Sequence, residues 1–187
     1  LQGNESILLD YFSQEWHSQL DEDEIRICQQ LAIIGSASPE YLDVAFEQAN
    51  SHDIIKRLLA KHVYVSSNVS HSGWVELHKM LQVTLHEKPN REYQEAVYHR
   101  ACNWLFDQGK HFQAVEMALK ITDKQQAANI LELCAENLIE EQGVAQLLSW
   151  KQQLPIKVMT NSPKLIIVFS WALEFAQQYD EAERLML

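Results

Sequence analysis

Apolar residues recur three and four positions apart along most of the chain, which is the spacing of one face of an α-helix. The clearest case is the segment 98–120, where apolar positions stand on both sides of Gly109. They are Ala101, Trp104, Leu105, Ala114, Met117 and Ala118. Glycine reaches the left-handed conformation that ends many helices without strain. The segment therefore predicts two helices, Tyr93–Gln108 and Phe112–Ile121, that turn at Gly109.

The first sixty residues predict four helices. They are Ile7–Leu20, a helix from Asp21 to a stop at Gly35, one that begins at Ser38 and one that begins at Asp53. Glu24 lies three residues after Asp21, the spacing of a capping box. Ser38 is a good N-cap, and Pro39 loses no hydrogen bond at the first helical position. We expect the third helix to bury Leu42, Ala45, Phe46 and Ala49.

The pattern then changes to that of a β-hairpin. His62–Ser66 is rich in β-branched and aromatic residues, which suit a strand. Polar turn residues follow, and Trp74–Leu77 can return as the partner strand. A helical pattern resumes at His78–His86 and breaks at Pro89. Helices, a hairpin and a closing helix are the outline of a winged-helix domain, which we assign to residues 1–90.

From residue 91 onward the pattern predicts helices only. After the pair around Gly109 they are Lys124–Glu136, Leu138–Glu141, Val144–Leu154, Lys164–Gln177 and Tyr179–Leu187, with Pro155–Pro163 as a connector. Placing Gln177 on Gly109 puts Ala182 on Ala114, an offset of 68 residues, with Gly143 halfway. This offset is twice the tetratricopeptide period of about 34 residues. We assign residues 91–187 to a tetratricopeptide-like α-helical repeat array; an ordinary helical hairpin in a globular core is the alternative.

Composition supports a mainly α fold and narrows the functions. The chain has 47% hydrophobic residues, five Gly and four Pro, and a formal net charge of -11. An acidic surface without a Lys/Arg stripe repels phosphate, so no DNA-binding face is predicted. The three cysteines, Cys28, Cys102 and Cys134, indicate buried thiols in a reducing compartment. No apolar run of about eighteen residues predicts a membrane span. Because the chain begins with Leu and ends in an apolar run, we expect it to be part of a longer protein.

A series of short motifs follows in a fixed order along the chain. They are Trp74–Leu81, His99–Leu105 with Gly109, Ala114–Leu119, Leu147–Pro155, Ser162–Leu165, Ser170–Leu173 and Tyr179–Glu183. The ordered set covers nearly the whole chain and resembles the large ATP-binding LuxR-type transcription regulators of bacteria, the group of the maltose-regulon activator. Each motif alone is common, and the order is what makes the resemblance specific.

The resemblance implies a STAND-class signal-transduction ATPase of the cytoplasm. Such regulators have a nucleotide-binding domain, a winged helix, a helical-repeat sensor and a C-terminal helix-turn-helix. This chain would hold the winged helix and the start of the sensor. It has no G-x-x-x-x-G-K-[ST] loop to cradle phosphates and no basic recognition helix. ATP or ADP and DNA would therefore be bound by other domains of the parent protein, which is expected to hydrolyse ATP slowly. The repeat would bind an inducer or a regulatory protein.

His78 is the site residue that the resemblance implies. It matches the histidine at the start of the last winged-helix helix, which contacts the phosphates of ADP in the resting state of such regulators. The family's second histidine is Lys79 here. An imidazole at a helix start adds a donor where anions are already favoured. A histidine that only packs is the alternative.

No other residues form the pattern of a catalytic or metal site. The remaining histidines lack the short regular spacing of zinc ligands; they are His17, His52, His62, His71, His86, His99 and His111. The acidic run 21–24 indicates an exposed helix start. Trp104, Trp150 and Trp171 are expected to pack between helices, with a stacked ligand as the alternative. No nucleophile–base pattern supports catalysis.

We therefore interpret the chain as the central regulatory part of an inducer-responsive transcription activator, itself neither catalytic nor in contact with DNA. In the mechanism that the family implies, His78 holds the winged helix on the ADP-bound nucleotide domain and keeps the protein monomeric. Inducer binding and exchange to ATP then permit oligomerisation. A helical-repeat scaffold that binds protein partners without a nucleotide switch is the alternative, and an enzyme is the weakest hypothesis.

Overall fold

A computed structural model of the protein describes residues 19–61, 64–68, 72–79, 81, 90–141 and 143–187. These residues form a mainly α-helical fold with one small β-sheet, as the sequence predicts. In chain order the elements are α1 (Glu22–Ile34), β1 (Ser36–Ala37), α2 (Pro39–Phe46), α3 (Ser51–Ala60), β2 (Val65–Ser67), β3 (Val75–Leu77), α4 (Arg91–Asp107), α5 (His111–Lys120), α6 (Lys124–Glu141), α7 (Val144–Gln153), α8 (Ile156–Thr160), α9 (Pro163–Phe175) and α10 (Tyr179–Met186). The predicted helix Ile7–Leu20 and most of His78–His86 lie outside the described residues.

The chain divides into two compact units between Val97 and Tyr98, inside α4. Each unit has its own buried apolar residues. Across the described parts of both units, no helix combines the length and the apolar composition that crossing a membrane requires.

The helices α1 and α2 begin at the caps that the sequence predicts. Asp21 Oδ1 accepts a hydrogen bond from the Glu24 backbone N–H at 2.8 Å, and Glu24 Oε2 accepts one from the Asp21 N–H at 3.0 Å. This is a complete capping box. Ser38 Oγ accepts from the Tyr41 N–H at 3.2 Å, with Pro39 in the first turn. These bonds satisfy backbone donors that a helix start leaves without partners.

The sheet of the first unit has the strand order β1-β3-β2 and is antiparallel throughout. Ser36 lies opposite Glu76, and Val65 lies opposite Leu77. The predicted hairpin is confirmed for the described strands β2 and β3. The sequence analysis missed β1, because a two-residue strand has no period of its own and pairs with a strand that is remote in sequence.

Apolar side chains from α1, α2, α3 and the sheet form the core of the first unit. The rings of Tyr41 and Trp74 lie 5.4 Å apart and connect α2 to the residue before β3. Two expectations were wrong here. Ala49 is exposed, because α2 ends at Phe46 and Glu47 turns the chain with a left-handed φ of 53°. The next helix begins at Ser51, two residues earlier than expected.

In the second unit, α9 is the central helix and packs against α6, α7, α8 and α10, while α5 packs against α6. Two predicted boundaries were wrong. The segment 138–141 is not a separate helix, because α6 continues to Glu141. The connector contains a short helix, α8, because Pro155 and Pro163 both stand at helix starts, where proline costs no hydrogen bond. Gln146 Nε2 donates to Glu116 Oε1 at 3.1 Å and joins α7 to α5.

The turns at Gly109 and Gln177 have the same backbone conformation. Gly109 has φ 68° and Gln177 has φ 61°. At the first turn the Lys110 N–H donates to Leu105 O at 2.9 Å; at the second the Gln178 N–H donates to Leu173 O at 2.8 Å. The offset of 68 residues therefore joins positions that are equivalent in geometry. Gly143 is not a third equivalent turn, because it stands in an extended conformation with φ -67° before α7.

Candidate functional site

His78 follows β3 directly, and hydrogen bonds on both sides hold its backbone. The His78 N–H donates to Tyr64 O at 2.9 Å, and His78 O accepts from the Leu81 N–H at 2.8 Å. Tyr64 is itself held, since its hydroxyl donates to Gln19 Oε1 at 2.8 Å. The side chains of His78 and Lys79 are both exposed. The arrangement presents two nitrogen donors from a fixed backbone, which is suited to an anion such as a phosphate group.

Two basic side chains at the end of α3, Arg57 and Lys61, are in a different situation, because Asp21 and Glu24 at the start of α1 pair with them. Lys61 Nζ lies 2.6 Å from Glu24 Oε2, and Arg57 lies 3.3 Å from Asp21 Oδ2 and 3.8 Å from Glu24 Oε1. Lys61 Nζ also donates to Gln19 O at 3.0 Å. These intramolecular partners offset part of the positive charge at this end of the helix.

The acidic run 21–24 is only partly the exposed helix start that was expected. Glu24 exposes 2% of its side chain, whereas Asp21, Glu22 and Asp23 are exposed. The hydrogen bond from the Glu24 backbone N–H holds the pKa of Asp21 below its usual value; loss of solvation opposes this shift, and the nearby Arg57 guanidinium adds to it to a lesser extent. The run is therefore a helix cap and an ion-pair network. Among the described residues, no group of His, Cys, Asp and Glu side chains could hold a metal ion.

The histidines other than His78 do not converge on a site in the described part of the chain. His52 is exposed on α3, and His99 and His111 are half-buried. The His111 ring packs edge-on against Phe106 at 5.8 Å between centroids. The other histidines considered above, His17, His62, His71 and His86, lie outside the described residues.

The three cysteines are buried free thiols, as predicted. Burial raises the pKa of Cys28 to about 12 and the pKa of Cys102 and Cys134 to about 11. A thiol is a nucleophile only as the thiolate, so none of the three is prepared for catalysis at neutral pH. Their role is packing.

A cleft of about 380 Å³ lies on the second unit between α7, α8 and α10. Lys151 and Glu181 form an ion pair across it. The remaining lining residues are Ile156, Met159, Asp180, Arg184 and Leu185. The cleft contains charges of both signs and no nucleophile–base pair, so its geometry does not indicate catalysis.

The tryptophans differ in burial. Trp150 is fully buried and contacts the Phe112 ring, with 5.0 Å between centroids, as expected for packing between helices. Trp171 is only half-buried, and its ring lies 5.6 Å from that of Phe175, which exposes 71% of its surface. Ile167, one turn before Trp171, exposes 66%. The sequence analysis missed this exposed apolar set. Comparison with the positions 68 residues earlier, which are polar, could have found it.

Comparison with known proteins gives relatives along almost the whole chain. The HTH-type transcriptional regulator AlkS of Pseudomonas putida is 26% identical over 183 residues, which cover 94% of this chain and 20% of that protein. The HTH-type transcriptional regulator MalT of Vibrio campbellii is 23% identical over 189 residues, 99% of this chain and 21% of that protein. The serine/threonine-protein kinase PknK of Mycobacterium tuberculosis is 24% identical over 126 residues, 66% of this chain and 11% of that protein.

No family model matches the chain. The chain spans about a fifth of the length of AlkS and MalT. The similarity to these two regulators supports the resemblance to the large LuxR-type transcription regulators that the ordered motifs indicate, and with it a regulatory role.

Proposed function

We propose that the chain is the central regulatory part of a cytoplasmic, inducer-responsive transcription activator of the large ATP-binding LuxR type. The observation that carries the proposal is the similarity to two HTH-type transcriptional regulators over 94% and 99% of the chain. In this proposal the chain neither catalyses a reaction nor contacts DNA. Both tasks belong to other domains of the parent, which bind ATP or ADP and the operator.

The order of elements in the first unit supports a winged-helix domain in residues 1–90. Helix α1, strand β1, helices α2 and α3, and the hairpin β2–β3 follow one another, and β3 lies between β1 and β2. Three helices with a small antiparallel sheet are what a winged-helix domain would contain, so the order of elements supports this part of the proposal. The ion pairs of Arg57 and Lys61 with α1 support a role in contacts within the parent protein, since they reduce the charge available for DNA.

The equivalent turns at Gly109 and Gln177 support a tetratricopeptide-like array in residues 91–187. A second pair of hydrogen bonds repeats at the same offset: the Ala114 N–H donates to Lys110 O at 3.0 Å and the Ala182 N–H donates to Gln178 O at 3.1 Å. Ala114 and Ala182 are both buried, so a small residue permits close packing of helices at each position. In the proposal this array begins the sensor that binds an inducer or a regulatory protein.

His78 has the role of a contact to the phosphates of ADP bound by the parent's nucleotide domain. Its exposed imidazole, its anchored backbone and the neighbouring Lys79 fit a phosphate group. In the resting state this contact keeps the winged helix on the nucleotide domain. Inducer shifts the equilibrium only to the extent that it binds the open state more tightly than the closed state.

The experiment replaces His78 in the full-length parent and measures inducer-free transcription and ADP retention. His78→Ala should raise inducer-free activity about fivefold or more, the range of ordinary coupling energies, and should speed ADP release. His52→Ala is the matched control, because His52 is an exposed histidine of the same unit. Unchanged basal activity together with unchanged ADP retention would overturn the role of His78.

One observation favours a second function, a scaffold without a nucleotide switch. The exposed apolar residues Ile167 and Phe175 offer a surface for a protein partner that needs no nucleotide. The two functions differ in the oligomeric state of the full-length parent. A state that changes between ADP and ATP supports the regulator, and one that is the same with both supports the scaffold.

A further inference from the structure

Helix α9 carries a row of apolar side chains on its exposed face. Ile167, Trp171 and Phe175, which we call the α9 stripe, are four residues apart and therefore lie on successive turns over about 12 Å. The opposite face of α9 packs inside the unit and buries Leu165, Val168, Phe169, Ala172 and Leu173. The core thus covers one face of α9, while the other face is apolar and is exposed at Ile167 and Phe175 and half-buried at Trp171.

The internal repeat excludes one explanation of the α9 stripe. At an offset of 68 residues its positions correspond to His99, Asn103 and Asp107 of α4. The pair α4–α5 is followed by α6, which packs on α5, and yet Asn103 and Asp107 remain exposed and His99 half-buried. A further helix that packed on α10 in the same way would leave the α9 stripe exposed. Such a helix would therefore not account for the apolar residues of the stripe.

The charged side chains of α9 and α10 bear on which partner the stripe would bind. The two helices α9 and α10 carry four acidic and two basic side chains, which are Glu174, Asp180, Glu181, Glu183, Lys164 and Arg184. Asp180, Glu181 and Arg184 line the cleft between α7, α8 and α10, whereas Glu174, next to Phe175, and Glu183 are exposed, as is Lys164 near the start of α9. A second copy of the chain carries the same net charge of -11, so two copies would repel each other on balance. Charge complementarity favours a basic partner instead.

We propose that the α9 stripe is the docking site for an amphipathic helix of a partner protein, with an apolar ridge and Lys or Arg on its flanks. Trp171 and Phe175 are the residue types that anchor protein interfaces, and their rings lie 5.6 Å apart. The apolar ridge packs along Ile167, Trp171 and Phe175, and the basic flanks lie near Glu174. This deepens the proposed function, on which it rests, by giving the chemistry of the regulatory protein at the repeat.

The experiment measures fluorescence anisotropy of a labelled synthetic Leu/Lys peptide of about 18 residues, designed as an amphipathic helix. The 187-residue chain should bind it, and Phe175→Asp should weaken binding about tenfold or more, a loss of about 1.4 kcal/mol. Asp is the residue at the equivalent position 107, so the fold accepts it on this face. Val44→Asp, at an exposed apolar position of the first unit, adds the same charge and should leave binding within about twofold.

Three results would overturn the proposal. They are absence of binding, equal weakening by Phe175→Asp and Val44→Asp, and equal binding of an isomeric peptide whose leucines do not lie on one face. Ile167→His, which copies His99, gives a second test should Phe175→Asp unfold on circular dichroism. A dimer in sedimentation that Phe175→Asp dissolves would assign the stripe to a second copy. Peptide binding is measured without nucleotide, so its failure is distinct from failure of the ADP and transcription assays.

Discussion

Gly109 and Gln177 lie 68 residues apart and adopt the same left-handed conformation, with φ values of 68° and 61°. Each ends the first helix of a pair, and equivalent hydrogen bonds close both turns. Position 109 carries glycine, which this conformation favours, whereas position 177 carries glutamine. The comparison isolates the energetic cost of a side chain in a left-handed turn, because the backbone geometry is shared.

Gln177→Gly should stabilise the second unit by about 0.5–1 kcal/mol. A non-glycine residue pays about 1–2 kcal/mol in the left-handed region, and the extra freedom of glycine in the unfolded chain removes part of the gain. The measurement is urea denaturation of wild type and variant. Ala176→Gly is the control, because Ala176 has φ -80° and glycine there should destabilise. A variant no more stable than wild type would contradict this reasoning.

The sequence predicted features that depend on a few neighbouring residues. The capping box of Asp21 and Glu24, the Ser38–Pro39 start and the Gly35 stop follow from local chemistry, and the structure has them all. Strand β1 depends on pairing with β3, which no local pattern reveals. Pro155 and Pro163 were predicted to bound a connector, whereas each stands at the start of a helix. The difference is one of context, since proline suits a first turn and disrupts an interior.

Glu24→Gln should destabilise the first unit by about 2 kcal/mol. The substitution retains an acceptor for the Asp21 N–H and removes the charge that faces Lys61 at 2.6 Å and Arg57 at 3.8 Å. Removing one partner of a buried pair costs about 3–5 kcal/mol, and solvent reduces this here because Lys61 is 35% exposed and Arg57 49%. Chemical denaturation measures the loss.

The control for Glu24→Gln is Asp23→Asn, which breaks an ion pair of similar length on the same helix. Asp23 Oδ1 lies 2.7 Å from Arg26, and both side chains are about half exposed. Exposed pairs contribute little, so we expect a change below about 0.5 kcal/mol. Equal losses for the two variants would mean that burial of Glu24 has no energetic consequence.

The candidate site was predictable only in part. His78 came from a resemblance, and its exposure and its anchored backbone became visible in the structure. The exposed face of α9 was not expected, because Trp171 has the spacing of a packing residue. Periodicity shows that a residue lies on an apolar face, but not whether another element covers that face.

The stability of the first unit should fall at acidic pH, because Asp21 becomes protonated. The Glu24 N–H and Arg57 lower the pKa of Asp21 in the folded protein. A carboxyl whose pKa is depressed by folding contributes stability above its unfolded pKa, near 3.9, and loses it as the pH falls through the folded pKa. Asp21→Asn keeps an acceptor for the cap and removes the titration.

The melting temperature of wild type should exceed that of Asp21→Asn at pH 7, and the difference should close as the pH falls below about 4. Added salt should reduce this difference in melting temperature only by the contribution of the Arg57 and Lys61 charges. The hydrogen bond from the Glu24 N–H is short-ranged, so salt should not weaken it. A difference that stays constant from pH 7 to pH 3 would show that the ionisation of Asp21 does not stabilise the fold.

Replacement of Trp150 by alanine should lower the free energy of unfolding much more than replacement of Trp171. Trp150 is fully buried against Phe112, so Trp150→Ala should cost about 3–5 kcal/mol through lost contacts and a cavity. Its indole N–H has no hydrogen-bond partner among the described residues, so Trp150→Phe loses packing but no hydrogen bond and should cost much less.

Trp171→Ala should cost less than Trp150→Ala, about 1 kcal/mol, because Trp171 is only half-buried and its ring lies beside the exposed Phe175. Urea denaturation gives the three free energies of unfolding. A large loss for Trp171→Ala would mean that the ring belongs to the core of the second unit. A small loss means that Trp171 contributes little to folding. In that case a tryptophan retained at the surface is available for binding, which is the role that the α9 stripe assigns to it.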